Sequence, residues 1–510
     1  VDTDVIIAGA GPTGLMLAGE LRMGGVRVIV TERLAAPTGQ SRGLGFTARA
    51  MEVFDQRGLL PRFGGLQTSP MGHFGGIQFD YTVLPGGHFG ARGIPQSTTE
   101  AVLAEWALAA GADIRRSWDL VELADLGDSV QVTALTPDGV RKLRAAYLVG
   151  CDGGQSTVRK LGGFDFPGSP ATREMFLADV VRCHLRPRFL GETLPNGMVM
   201  AAPLGEDVDR IIVCPHGTPA RERTEPIGYT EVADAWQRIT GEDIHGGSAD
   251  WVSSFTDATR QVSEYRRGRV LLAGDAAHIH LPAGGQGLSV GVQDAANLGW
   301  KLAATVRGSA PAGLLDTYHD ERHAAGARLL MNTRAQGKVF LGGPEMDPLR
   351  QLLTELIGYD EVKRHLAGIV SGLDVRYPLG TGRDPLVGRR LADRHLRGAA
   401  GTTRLLHRAR GLLLDLGGGP AVGQLAAGWA DRVITVAATP EPWAGPGADQ
   451  LAGQTAILVR PDGYVAWTAA DSEDLDGALR RWFGAPTDAA SRAAAGATAG
   501  RTDLVPTRTA

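Results

Sequence analysis

Cysteine is scarce: Cys151, Cys183 and Cys214 are the three in 510 residues, an odd number with no CxxC pair. That excludes a disulfide framework and a zinc knuckle, and it fits a reducing, cytoplasmic setting. An excess of either charge is also missing. The formal net charge is −4, so no broad basic field exists for nucleic acid or anionic lipid, and neither partner is expected. No run approaches about 18 uninterrupted apolar residues, so no membrane span is expected. Nor does a basic segment lead into an apolar stretch at the start, and no repeat of fixed period is present. What is there is an ordinary globular composition, 43% hydrophobic and 21% charged, with 71 glycines that signal tight turns and close backbone approaches. The length predicts two or three domains.

The chain opens on an apolar run ending at Ala8, then Gly9-Ala10-Gly11-Pro12-Thr13-Gly14, a helical stretch with Leu15, Ala18 and Leu21, and a second apolar run at 26–30 closed by Glu32. This is the grammar of a βαβ unit that binds a dinucleotide. Gly9 permits the tight turn, Gly11 lets backbone approach a pyrophosphate, and Gly14 lets helix and strand pack closely. Glu32 accepts from ribose hydroxyls and repels a 2′-phosphate, which leaves FAD or NAD at this position. Two later segments decide between them. Cys151-Asp152-Gly153-Gly154 follows an apolar run, and residues 269–278 repeat the strand and turn with Gly274-Asp275 before Pro282-Ala283-Gly284-Gly285-Gln286-Gly287-Leu288. An Asp there suits a ribityl chain. A glycine-rich loop opening a helix presents N–H groups and a positive dipole end to the electron-poor edge of a flavin. The combination points to FAD.

Between these landmarks the pattern changes. Residues 64–93 are rich in glycine and mix in His73, Phe74, Phe79, Tyr81 and Phe89, which reads as an excursion into a second domain. A helix is predicted over 97–110 and a hairpin over 130–149 around Thr136-Pro137-Asp138-Gly139. Residues 175–214 and 251–264 read as strands of an antiparallel sheet on the substrate side. Helices are predicted over 288–306 and 314–339, with Arg322, Arg328 and Arg334 on mostly exposed faces. The composition shifts near Arg389 to a small α/β unit with strands at 433–436 and 456–459, and the Ala-, Thr- and Gly-rich end from Thr487 is expected to fray.

With these motifs the chain resembles the para-hydroxybenzoate hydroxylase family of FAD-dependent aromatic monooxygenases over nearly its whole length. The segment Ser41-Arg42-Gly43-Leu44-Gly45-Phe46, the Cys151-Asp152 turn, Gly274-Asp275-Ala276-Ala277-His278 and Leu281-Pro282-Ala283-Gly284-Gly285-Gln286-Gly287 look most like the hydroxylases of aromatic polyketide antibiotics, the angucycline branch especially. The resemblance implies an α/β fold: a discontinuous Rossmann-like FAD-binding domain (1–70, 97–174, 266–388), a mixed β-sheet substrate domain (71–96, 175–265) and a thioredoxin-like C-terminal domain (389–510). Without CxxC that last domain is expected to be redox-silent.

It further implies that Glu32 and Arg33 hold the adenosine side, Arg42 the pyrophosphate, Gln96 and Asp275 the ribityl and phosphate chain, and Val121 the adenine through its backbone. Asp152 would serve both FAD and the nicotinamide cofactor. Pro282 would lie near the flavin C4a, and Gly287 and Leu288 would give amides to the ring. The chemistry implied is reduction by NADPH, a flavin C4a-hydroperoxide formed with O2, and hydroxylation of a polycyclic aromatic polyketide; a homodimer stays open. No residue stands out as a dedicated base, with His73 and Tyr81 the candidates. One departure is Leu288-Ser289-Val290, where the family commonly has an asparagine; a side-chain contact to the flavin is lost or shortened there.

Competing readings are a rifamycin-type inactivating monooxygenase, an NAD-dependent dehydrogenase, and a non-oxygenating flavin-binding partner or sensor acting through its C-terminal domain. Three local patterns mislead. Gly39-Gln40-Ser41-Arg42-Gly43 matches a nucleophile elbow but follows a turn-rich segment instead of a strand. His278 and His280 have metal-like spacing without a third ligand, so a loop histidine beside the cofactor is expected and no metal. The aromatics at 74–89 either line a pocket or fill a core.

Overall fold

The computed structural model describes residues 1–85, 88–221, 223, 225–379, 384–417, 419–445, 449–471 and 473–487. The end expected to fray lies, beyond Thr487, outside the described residues. The first strand, Thr3–Ala8, is central because Val5, Ile6 and Ile7 are wholly buried on both of its faces, the mark of a parallel strand between helical layers. It pairs in parallel with Val28–Glu32 on one side and Gly139–Gly150 on the other. Asp113–Arg116 and Val270–Leu272 extend the parallel core outward, and the Val130–Thr136 and Asp119–Asp125 strands continue it antiparallel. The helix Pro12–Met23 packs on helices Gln96–Ala109 and Gln286–Val306. Glycines make this closeness feasible: a Cβ at Gly299 would stand 2.4 Å from the Glu20 Cβ. The predicted helices and hairpin are present, with ends moved by one to three residues.

A second sheet carries five antiparallel strands between Glu174 and Thr256. One face, with Phe176, Ala178, Val180, Val199, Ile211 and Val213, is covered by the helix Tyr229–Thr240 through Val232, Ala233 and Trp236. The other turns towards the parallel domain. The hairpin Met71–Phe74 and Ile77–Asp80 forms its own two-stranded sheet, and Phe74 and Phe79 pack on Ile357, Ala367 and Val370 of the helices Asp347–Ile357 and Asp360–Ser371. Those two aromatics fill a core.

The C-terminal unit has a four-stranded sheet in which Gly411–Asp415 lies between Val433–Ala437, parallel to it, and Ala456–Val459, antiparallel, with Val465–Thr468 outermost. It docks through its Arg460-Pro461-Asp462-Gly463 turn, where Arg460 is fully buried against Glu321. One expectation needs correction. Arg328 and Arg334 are exposed, but Arg322 is buried, because the helix Thr317–Leu341 is covered by Gln286–Val306 on the side that Arg322 occupies.

Candidate active site

The C-terminal ends of four parallel strands, at Ala8, Glu32, Gly150 and Leu272, converge on one edge, where open α/β sheets bind ligands. Gly9 has φ 102°, and a Cβ there would lie 2.4 Å from the Cys151 carbonyl oxygen; one at Gly14 would lie 2.0 Å from the Gly9 oxygen. These two glycines are required by the protein itself. Gly11 differs, since nothing stands within 4 Å of its Cβ position, so the space above the helix N-terminus is open. Pro12 starts that helix where its missing N–H costs nothing. Thr13 wedges its hydroxyl between Gly274 and Gly291 and so locks the first turn to the last one.

Glu32 is half-buried, and its two oxygens accept the amides of Ala10 and Leu34, both at 2.9 Å. The carboxylate is thereby held at the rim, while Arg33 and Arg42 project as exposed side chains. Gln96 begins its helix and donates its backbone N–H to Gly43 at 3.1 Å; its side chain donates to Glu100 at 2.8 Å. Val121 sits where the pairing of Asp119–Asp125 with Val130–Thr136 shifts register, which leaves its backbone outside the regular ladder. Asp152 caps the helix Thr157–Leu161 through the Thr157 and Val158 amides at 2.7 and 3.0 Å, and its other oxygen is buried without a partner.

Asp275 is exposed at the tip of the Gly274–Ala276 turn. Sequence reasoning missed what holds that turn. Asp294, fully buried, accepts the Gly274 amide at 2.9 Å, His278 Nε2 at 2.8 Å and Arg322 Nε at 2.6 Å. Burial alone would raise the Asp294 carboxyl, but Arg322 and His278 outweigh it and hold it below the usual carboxylate range. His278 therefore braces the turn from inside the protein. A lone acid in the apolar stretch around Val292 and Leu298 was the available signal.

Pro282 is exposed, and the loop after it turns through Gly284 and Gly285, both left-handed at φ 70° and 66°, into the helix Gln286–Val306. Gln286 is buried and its side chain faces the protein, donating to the Ala283 oxygen at 3.1 Å, so only its backbone looks outward. Leu288 comes near Gly43. Ser289 is buried and accepts the Thr47 amide at 2.9 Å, which ties two helices together. His280 keeps Nδ1 on the Leu281 oxygen at 2.7 Å, and burial pushes it towards the neutral form.

Beyond the loop, the open face of the five-stranded sheet carries Met175, Met198, Met200, Ile212, Cys214 and Phe255, which meet Leu281, Ala283, Phe340 and Leu341. Met200, Ile212 and Phe255 are only half-buried, so this wall borders open space beside Pro282. His73 lies on the strand Met71–Phe74, which approaches the Ala283–Gly285 turn, and Tyr81 opens the short Tyr81–Val83 turn that follows the hairpin and packs on the helix Asp360–Ser371. Burial lowers the His73 pKa, and its Nδ1 accepts the Gly76 amide at 3.3 Å. Burial pushes Tyr81 up to about 12, and its ring packs edge-on to Phe79. Among the described residues no cluster of three metal-ligating side chains exists, and no helix is long and apolar enough to cross a membrane.

Residues 2–333 match a family model described as FAD binding domain, and residues 384–486 match one described as aromatic-ring hydroxylase, C-terminal. The chain belongs to the FAD-dependent aromatic-ring hydroxylase family. A 12-dehydrotetracycline 5-monooxygenase/anhydrotetracycline 6-monooxygenase of Streptomyces rimosus is 45% identical, across 95% of this chain and 99% of the relative. A rifampicin monooxygenase of Streptomyces venezuelae is 44% identical over the same shares. The solved structure of CabE, an aromatic hydroxylase from angucycline biosynthesis, superposes with a TM-score of 0.92 at 60% identity, covering 95% of this chain and 100% of that one. This hydroxylase-family chain fits the cofactor on its own geometry: Gly11, Gly153 and Gly285 open onto free space, and the orphaned Asp152 oxygen is a polar atom lacking a partner within the protein.

Proposed function

We propose that the protein uses FAD, NADPH and O2 to hydroxylate a polycyclic aromatic polyketide of the angucycline type. The observation that carries the reading is the half-buried apolar wall of Met200, Ile212 and Phe255 beside the Pro282 loop. A flat ring system matches such a surface, and methionines adapt to its outline. The 60% identity to the angucycline hydroxylase, against 44% to the rifampicin monooxygenase, favours this substrate class over the rifamycin type.

In this reading the adenosine half lies along Gly9, Gly11, Pro12, Thr13, Gly14, Glu32, Arg33 and the Val121 backbone, with Arg42, Gln96, Asp152, Gly274 and Asp275 along the linking chain. Pro282 and the backbone of Gly285, Gln286, Gly287 and Leu288 would hold the flavin ring. Bound flavin, reduced by the nicotinamide cofactor, supplies the activation of O2 for transfer to an electron-rich ring. The chain's own residues orient and exclude. Met175, Met198 and Phe255 keep water from the wall, and the amides at the start of Gln286–Val306, with the dipole of that helix, favour negative charge on the ring edge. Tyr81, with its raised pKa, stays protonated at neutral pH and offers a hydrogen-bond donor, not a base. Ser289, committed to Thr47, leaves the neighbouring backbone amides free for the ring.

The domain division 1–70, 97–174 and 266–388 for FAD, 71–96 and 175–265 for substrate, and 389–510 for a thioredoxin-like unit goes with this reading. The order of the C-terminal strands, one parallel pair followed by an antiparallel hairpin, supports its last part. Purified protein that is yellow, and whose NADPH oxidation accelerates with angucyclinones while product gains one oxygen from labelled O2, is the expected result. Colourless protein refutes the flavin reading. Yellow protein without substrate-dependent O2 uptake favours a binding-only role.

A further inference from the structure

The Ala283–Gly285 turn is connected to the Met71–Asp80 hairpin by a single file of buried amides. The Gly75 N–H donates to Gln336 Oε1 at 3.3 Å, Gln336 Nε2 to Asn332 Oδ1 at 3.2 Å, Asn332 Nδ2 to Gln286 Oε1 at 3.2 Å, and Gln286 Nε2 to the Ala283 oxygen at 3.1 Å. All three side chains are buried, at 0% exposure for Gln336, 1% for Asn332 and 3% for Gln286. Both ends are backbone groups of fixed character, a donor at Gly75 and an acceptor at Ala283. The direction of every amide between them is therefore set, since one flip would leave two donors or two acceptors facing each other. Each end is also a left-handed glycine turn, Gly75 at φ 57° and Gly284 at φ 70°, where the backbone has most freedom to lose. Gln286 Nε2 and Gln336 Oε1 come within 3.2 and 3.7 Å of the Gly284 Cβ position, so the file lies directly beneath the turn.

We propose that Gln286, Asn332 and Gln336 are positioning residues that fix the 282–287 loop relative to the 71–80 hairpin, and so couple the seat of the flavin ring to a segment beside the substrate wall. The inference rests on the FAD reading above. A buried amide that lost one partner would let both turns relax, whereas a role confined to local packing would affect only the nearest one.

The test uses the full-length holoprotein and two near-isosteric variants. Gln336→Glu keeps the acceptor for Gly75 and removes the donor to Asn332; Asn332→Asp removes the donor to Gln286. Each is expected to raise the FAD dissociation constant about tenfold, read by flavin fluorescence. Each is also expected to shift the bound-flavin absorption spectrum and to speed hydrogen exchange at both 75–76 and 283–287. Faster exchange at the distant end is the readout that simple packing does not move. Where a variant folds poorly, Gln336→Leu, which removes both polar functions, gives the same two-ended exchange. Variants that match the wild type in FAD affinity, spectrum and exchange at the distant turn overturn the proposal. Wild-type protein that binds no FAD overturns the FAD reading itself, a separate outcome.

Discussion

Breaking the ion pair between Arg460 and Glu321 should cost about as much as removing both of its members. Arg460 is fully buried and donates twice to Glu321, at 2.7 and 2.8 Å, while also binding Asp462. Glu321 takes further contacts from Lys301 at 2.9 Å and Asn297 at 2.6 Å. Two cations thus face two carboxylates, and the seam is neutral. Arg460→Met leaves it with one excess negative charge, and Glu321→Gln with one excess positive charge, each at a cost of about 3 to 5 kcal/mol. Against a total stability of roughly 5 to 15 kcal/mol, either change is large. The double variant restores neutrality, so its loss should resemble that of one single change, giving a coupling of about 3 kcal/mol in a double-mutant cycle. Urea unfolding followed by tryptophan fluorescence reports on this seam directly, because Trp300 and Trp482 lie 5.4 and 4.9 Å from the Arg460 guanidinium. If the two single losses simply add in the double variant, the electrostatic account of this docking surface is wrong.

Gly14→Ala should fail to fold around FAD, because its Cβ would stand 2.0 Å from the Gly9 oxygen, whereas Gly11→Ala should fold normally and lose FAD affinity; circular dichroism with a flavin titration separates the two. Asp294→Asn leaves Arg322 buried without its carboxylate, so a loss of about 3 to 5 kcal/mol and a low flavin-to-protein absorbance ratio are expected. Asp275→Asn, at an exposed position, should instead keep the wild-type melting temperature and lose only flavin. Lys301 supplies a pH test: burial pushes its pKa down from 10.5 to about 8, with Glu321 opposing. Between those values the unfolded chain binds the proton and the folded one does not, so stability relative to Lys301→Met should rise with pH across that window. A flat difference between the two melting curves would falsify it.

The parts of the fold that could be read from the chain are those whose partners lie close in sequence or in a repeated local grammar. Gly14 is demanded by the Gly9 oxygen within one strand–helix unit, Gly9 sits in the spacing of the motif although the backbone that crowds it is that of distant Cys151, and the hairpin after Thr136 follows from its own turn residues. The supports of the site were harder to read because they pair residues distant in sequence. Arg322 looks like a surface residue on a helix that is polar around much of its circumference, and only the packing of Gln286–Val306 against it makes it a core residue. Asn332 and Gln336 carry no motif at all. The legible sign lay on the partner helix. Gln286–Val306 contains only two charged residues, Asp294 and Lys301, and both are wholly buried. Their partners are the sequence neighbours Arg322 and Glu321, at 2.6 and 2.9 Å. The two pairs have opposite polarity. A slip that exchanged partners would bring Asp294 towards Glu321 and Lys301 towards Arg322, like charges in a low-dielectric seam, so the pairs specify one register between the helices. That register is what sets the Gly274–Ala276 turn and the 282–287 loop on the same edge of the sheet.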